Sequence, residues 1–158
     1  MRPYFFGSAR PSLVLFDGDS HTAETVPGAG HGYPSKCLPS LRAPIRLVNI
    51  GVSGSSGFHD GYAVQTDLPK RIASLLIGTN NLIAHASAAT VLSIITTRIT
   101  LLQGAGYTVV CVTTVPPSTL ISGADETSRL SLNVSIRALD SSFVDVIDLA
   151  NDAVVNRD

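Results

Sequence analysis

The chain is poor in charge, poor in cysteine and free of any long apolar run, and each shortage narrows what it can be. Only 15% of its 158 residues are charged, with 11 Lys and Arg against 12 Asp and Glu and a formal net charge of −1. No basic run, and no interleaving of basic with aromatic residues, offers a footprint for nucleic acid. Nothing approaches the ~20 consecutive apolar residues of a membrane-spanning helix. The apolar part of residues 1–12 (MRPYFFGSARPS) is too short for a secretory signal. Two cysteines, Cys37 and Cys111, make neither a disulfide framework nor a metal-ligand spacing. Cys111 lies in an apolar run and reads as a buried thiol. There is no phosphate loop with a Lys and no dinucleotide fingerprint. Gly51-Val52-Ser53-Gly54-Ser55 comes near the Gly-x-Ser-x-Gly nucleophile elbow but lacks its closing glycine. With no repeat, linker or low-complexity tract, the expectation is one domain over residues 12–158, preceded by a short flexible leader at 1–11. No metal or organic cofactor is expected.

What is present is alternation. Five short apolar runs, at 13–16, 46–49, 74–77, 108–113 and 144–148, read as strands. Most are continuously apolar rather than alternating, as expected of parallel strands buried on both faces. Between them lie helical stretches. At 87–103, Ala88, Val91, Leu92, Ile95, Ile99 and Leu102 fall on one face, with Ser87 as N-cap and Gly104 as stop. At 124–140, Leu130, Val134 and Ala138 stand four apart. Strand–helix alternation implies right-handed crossovers and a three-layer α/β/α sandwich around a five-stranded parallel sheet.

Three strands run into small polar loops. Leu13 to Thr22 reads LVLFDGDSHT, Ile45 to Gly57 reads IRLVNIGVSGSSG, and Ala73 to Leu82 reads ASLLIGTNNL. Parallel strands place all three loops on the carboxyl edge of the sheet, where open α/β folds bind ligands. Ser20 at the first tip is a candidate nucleophile; the plainer reading of a Ser after Asp-Gly-Asp is an N-cap.

Gly18-Asp19-Ser20, then Asn49-Ile50-Gly51-Val52-Ser53-Gly54, then Gly78-Thr79-Asn80, in that order, resemble the SGNH (GDSL-type) hydrolases, a family of esterases, lipases and carbohydrate acetylesterases. Val115-Pro116-Pro117, Asn133 and the run Val146-Ile147-Asp148-Leu149 continue the likeness, which covers the chain from Leu13 onward. The resemblance implies a flavodoxin-like strand order 2-1-3-4-5. It also implies hydrolysis of acyl or O-acetyl esters through an acyl-enzyme on Ser20. The Gly54 N–H, the Asn80 side-chain amide and the Ser20 N–H would stabilise the oxyanion. Position 81 departs from the family's usual Asp; Asn80 holds the aligned donor position.

The fourth block, Asp-x-x-His, should supply the base and its orienting acid. No His follows His85, and Asp158 falls about where the block's Asp would stand. The expectation is therefore a chain cut short before the block's His and the closing helix, with Asp158 as the candidate orienting acid. Asp148 and Asp152 stand as substitutes. Asp17 and Asp19 would hold the turn through backbone hydrogen bonds. Of the internal histidines, His21 would point away from Ser20 on a helix, His31 and His85 fall in loops and helix starts, and His59 lies on the correct edge. The alternative reading is a non-catalytic ligand-binding module that keeps the esterase fold. A third is a flavodoxin-like anion binder.

Overall fold

The computed structural model describes residues 12–23, 45–59, 68 and 70–151. Its five strands form one all-parallel sheet in the order β2-β1-β3-β4-β5. They are β1 (Ser12–Gly18), β2 (Ile45–Asn49), β3 (Arg71–Leu76), β4 (Val109–Thr113) and β5 (Val144–Ile147). All five apolar runs are strands, their ends differing by up to three residues, and the strand order is the expected one. The helices are a one-turn α1 (Thr79–Ile83), α2 (Ala88–Gly104) and α3 (Ala124–Arg137). A 3₁₀ turn at Leu149–Asn151 follows β5.

Register decides which side chains share a face. Leu15 pairs with Ala73, Ala73 with Val110 and Val110 with Val144, so Leu13, Leu15, Ala73, Leu75, Val110, Val112 and Val144 line one side. Val91, Ile95, Ile99 and Leu102 of α2, and Leu132 and Ile136 of α3, close a single core with them. Asp17 continues that face after Leu13 and Leu15, pairing with Leu75, and this places a carboxylate at the upper edge of the core. The layer expected on the opposite face and the leader fall outside the described residues.

Helix α2 begins as expected. Ser87 Oγ accepts from the Thr90 N–H at 3.1 Å, a cap worth about 1 kcal/mol. Gly104 proves to be its last residue, and the left-handed turn comes at Gly106 (φ 79°). Helix α3 corrects the sequence reading. Leu130 is 54% and Val134 66% exposed, while Arg129, Leu132, Asn133 and Ile136 face inward. The apolar spacing lies on the outer face because two of the inward positions are polar.

Those polar residues hold the end of β4. Asn133 Nδ2 donates to Val115 O and Asn133 Oδ1 accepts the Val115 N–H, both at 2.8 Å. Arg129 Nη1 donates to the same carbonyl at 2.9 Å while its other nitrogens grip Glu126 at 2.7 and 2.6 Å. Buried, with its amide nitrogen and oxygen both bonded to Val115, Asn133 is a strand clamp.

Candidate active site

The three loops lie side by side because β2, β1 and β3 are neighbours in the sheet. The first is a tight turn. The Asp19 N–H donates to Leu76 O on β3 at 3.2 Å, and Asp19 O accepts the Thr22 and Ala23 N–H groups at 3.0 and 2.8 Å. Asp19 Oδ1 accepts the His21 N–H at 3.0 Å. Burial pushes the Asp19 carboxyl above the ordinary range, while the His21 N–H and the His21 charge pull against it. Ser20 stands exposed at the tip of this braced turn.

The second loop docks onto the first. The Ile50 N–H donates to Phe16 O at 2.9 Å and the Val52 N–H to Gly18 O at 3.0 Å, extending the strand pairing past the end of β2. Asn49 Nδ2 donates to Thr22 O at 2.9 Å, and Asn49 Oδ1 accepts the Gly51 N–H at 3.0 Å. One side chain thus ties the Ser20 turn to this loop. Gly54 then turns the chain with φ 78°, a conformation most L residues avoid.

The third loop braces the second. Asn80 Nδ2 donates to Ser55 O at 2.9 Å and Asn81 Nδ2 to Ser56 O at 2.8 Å. Both asparagines sit in the one-turn α1, a stretch that reads as loop in the sequence. A primary amide carries two N–H bonds, so Asn80 keeps one hydrogen beyond its loop contact. Among the described residues, the N–H groups of Ser20 and Gly54 are engaged by no other group. The carboxyl edge therefore offers the exposed Ser20 hydroxyl and unspent N–H donors on three adjoining loops.

The carboxylates fall otherwise than expected. Asp17 does not hold the turn; it is fully buried and faces Arg98 of α2, with Oδ2 at 2.7 Å from Nη2. Its Oδ1 lies 3.3 Å from His59 Nδ1 and 3.4 Å from the His59 backbone N. Burial raises the Asp17 carboxyl above the ordinary range against the pull of Arg98 and His59. His59, the internal candidate for a base, meets this carboxylate through Nδ1, and among the described residues no hydrogen bond joins it to Ser20. His85 closes α1 with φ 61° and meets Asp125 Oδ2 of α3 at 2.9 Å.

Asp148, the substitute orienting acid, is tied to its own neighbours at the end of β5. Arg137 grips both its oxygens at 2.8 and 2.9 Å, and Thr114 Oγ1 and Asn151 Nδ2 donate to it at 3.0 and 2.8 Å. These partners lower its pKa from 3.8 to about 2, the Arg137 hydrogen bonds contributing most. A depressed carboxylate stabilises the fold above its unfolded value, and that contribution is lost as pH falls through the folded one. Arg137→Ala is expected to lower stability by about 0.5–1 kcal/mol at neutral pH, the discounted range for a partly exposed pair. In melting curves taken against pH, the gap to the parent chain should close between about pH 4 and pH 2. Asp152 and Asp158 lie outside the described residues.

Solved structures share this architecture. The esterase AlinE4, described as an SGNH-hydrolase family esterase, superposes with a TM-score of 0.71 at 21% identity, covering 94% of this chain and 81% of its own. The chain has the fold of the SGNH hydrolases. A member of the lipolytic G-D-S-L family from Veillonella parvula DSM 2008 matches with a TM-score of 0.64 at 24% identity, covering 87% of this chain and 76% of its own. No family profile matches the chain, and neither does any characterised relative at the level of sequence. Among the described residues no helix is long and apolar enough to cross a membrane, and no three metal-binding side chains cluster.

Proposed function

We propose that the chain is a serine hydrolase of the SGNH kind, cleaving acyl or O-acetyl esters through Ser20. The observation that carries the reading is the juxtaposition of an exposed Ser20 with unspent N–H donors at Ser20, Gly54 and Asn80 on three adjoining loops. Ser20 Oγ attacks the ester carbonyl, and the tetrahedral oxyanion takes hydrogen bonds from Gly54 N–H, Asn80 Nδ2 and Ser20 N–H. Collapse expels the alcohol and leaves an acyl-Ser20 ester, which water then cleaves. Asp158 is the proposed orienting acid; a serine hydroxyl is weak at neutral pH without a base, which takes its proton on attack and returns it to the departing alcohol. Carbohydrate or small-molecule esters are the substrate class, and no cofactor enters the chemistry.

The second reading is a binding module that keeps the cleft without turnover. It is favoured by the absence, among the described residues, of any hydrogen-bond partner for Ser20 Oγ. Acid-quenched mass spectrometry after exposure to a chromogenic short-chain ester separates the two. The hydrolase reading expects an acyl group on the peptide containing Ser20 and none in Ser20→Ala. Ligand-induced stabilisation without acylation would support the binding module instead.

A further inference from the structure

The charged pair at the edge of the core has a job that stability alone does not explain. Arg98 stands between Ile95 and Ile99 on the inward face of α2, and Asp17 continues the line of Leu13 and Leu15. Replacing a buried ion pair by apolar side chains of similar volume is often neutral or stabilising. Core positions that need only packing are better filled by Leu or Met.

What the pair holds is the exit of the loop that carries Gly54. Arg98 Nη2 lies 2.7 Å from Asp17 Oδ2 and donates to the His59 carbonyl at 3.0 Å. Asp17 Oδ1 takes the other side of the same residue, at 3.4 Å from the His59 backbone N and 3.3 Å from Nδ1. Both backbone polar groups of His59 are therefore engaged by the pair. The loop's entry is fixed separately by Phe16 O and Gly18 O, and its middle by Asn80 and Asn81. Gly54 has no side chain, and even an added Cβ would meet nothing within 4 Å. Its N–H direction is thus set by the Val52–Ser55 turn, closed by the Ser55 N–H on Val52 O at 3.1 Å, and by how the loop that carries this turn is anchored.

We infer that Asp17 and Arg98 are positioning residues whose pairing fixes the exit of loop 50–59 and so aims the Gly54 N–H at the oxyanion. The inference rests on the proposed oxyanion role of Gly54. Arg suits the task because its planar fork reaches the carboxylate and the carbonyl together, whereas Lys offers a single point charge.

The test is the double variant Asp17→Leu/Arg98→Met, chosen so that no charge is left buried alone, with folding verified by circular dichroism. Native-state hydrogen exchange is read at Ser55, Gly57 and His59 against Val110 and Val112 in β4, together with ester turnover. The loop amides should exchange about tenfold faster or more, with the β4 amides within about threefold of the parent. The value of kcat should fall with KM nearly unchanged, the pattern of an interaction made in the transition state. Loop amides unchanged in a folded variant, or moving only in step with β4, would overturn the inference. So would a loosened loop with undiminished kcat. Should the double variant not fold, Arg98→Lys must show the same loop-confined exchange. If the parent chain does not turn over esters, the hydrolase reading fails by itself, and exchange alone decides whether the pair holds the loop.

Discussion

Asn80→Ala is expected to slow acylation of Ser20 by about 10²–10³-fold, the usual cost of removing one oxyanion donor. The difficulty is that Asn80 has two roles, since its amide also holds Ser55 O. Its neighbour supplies the control. Asn81 is buried, and its amide holds Ser56 O in the same manner. Asn81→Ala releases the loop by one hydrogen bond without removing the proposed donor, and should cost about 1–2 kcal/mol of stability. Its acylation rate should stay within about tenfold of the parent chain. Stopped-flow acylation of the two variants by one activated ester separates aim from support. Equal losses would mean that Asn80 acts only by bracing the loop.

Gly18→Ala is the largest expected loss of stability. A Cβ at Gly18 would lie 2.1 Å from Leu76 O and 2.5 Å from Thr22 Oγ1. The first obstacle is backbone of the adjacent strand and cannot rotate aside. Replacing glycine by alanine gains about 0.4–1 kcal/mol by narrowing the unfolded ensemble. Overpacking typically costs 1–3 kcal/mol, and a clash with backbone belongs at or above the top of that range. The net effect should be a loss of about 2 kcal/mol or more, seen as a lower denaturation midpoint at unchanged slope. Since Gly18 O also receives the Val52 N–H, parting β1 from β3 would move the Ser20 turn against the Gly54 loop as well. A midpoint within experimental error of the parent chain would mean that the two strands can separate freely there.

The sheet was legible in the sequence because parallel strands buried on both faces write continuous apolar runs. Leu13 to Phe16 and Val109 to Val112 are such runs, and the small polar loops that follow the first three strands mark one edge. Helix α2 was legible through its apolar stripe and its Ser87 cap. Helix α3 was legible as a helix but not by its face, because Arg129 and Asn133 point inward to hold the end of β4. Apolar spacing cannot register a polar residue that is buried with its partners.

The same limit governs the site. Ser20 could be named as a hydroxyl at a strand-end tip, and Gly54 and Asn80 through the resemblance of their blocks to the SGNH hydrolases, because local motifs need no knowledge of tertiary contacts. The bond from Asn80 to Ser55, the tie from Asn49 to Thr22 and the Asp17–Arg98 pair join residues 25, 27 and 81 apart, and no local pattern announces them. The surroundings of Asp148 are illegible for the same reason: a carboxylate at a strand end looks available until Arg137 is placed across it. In Asp17 the sequence did leave one signal, a charged residue at an inward position of an otherwise apolar strand. Charge at such a position asks for a partner, and Arg98 on the stripe of α2 is the matching anomaly.

The central claim is that Ser20 is the nucleophile. The most direct measurement is intact-mass and peptide mass spectrometry of the chain after a fluorophosphonate probe, beside Ser20→Ala. The account predicts a single adduct on the peptide containing Ser20, absent in the variant. An adduct that persists in Ser20→Ala, or none on the parent chain at all, would contradict it.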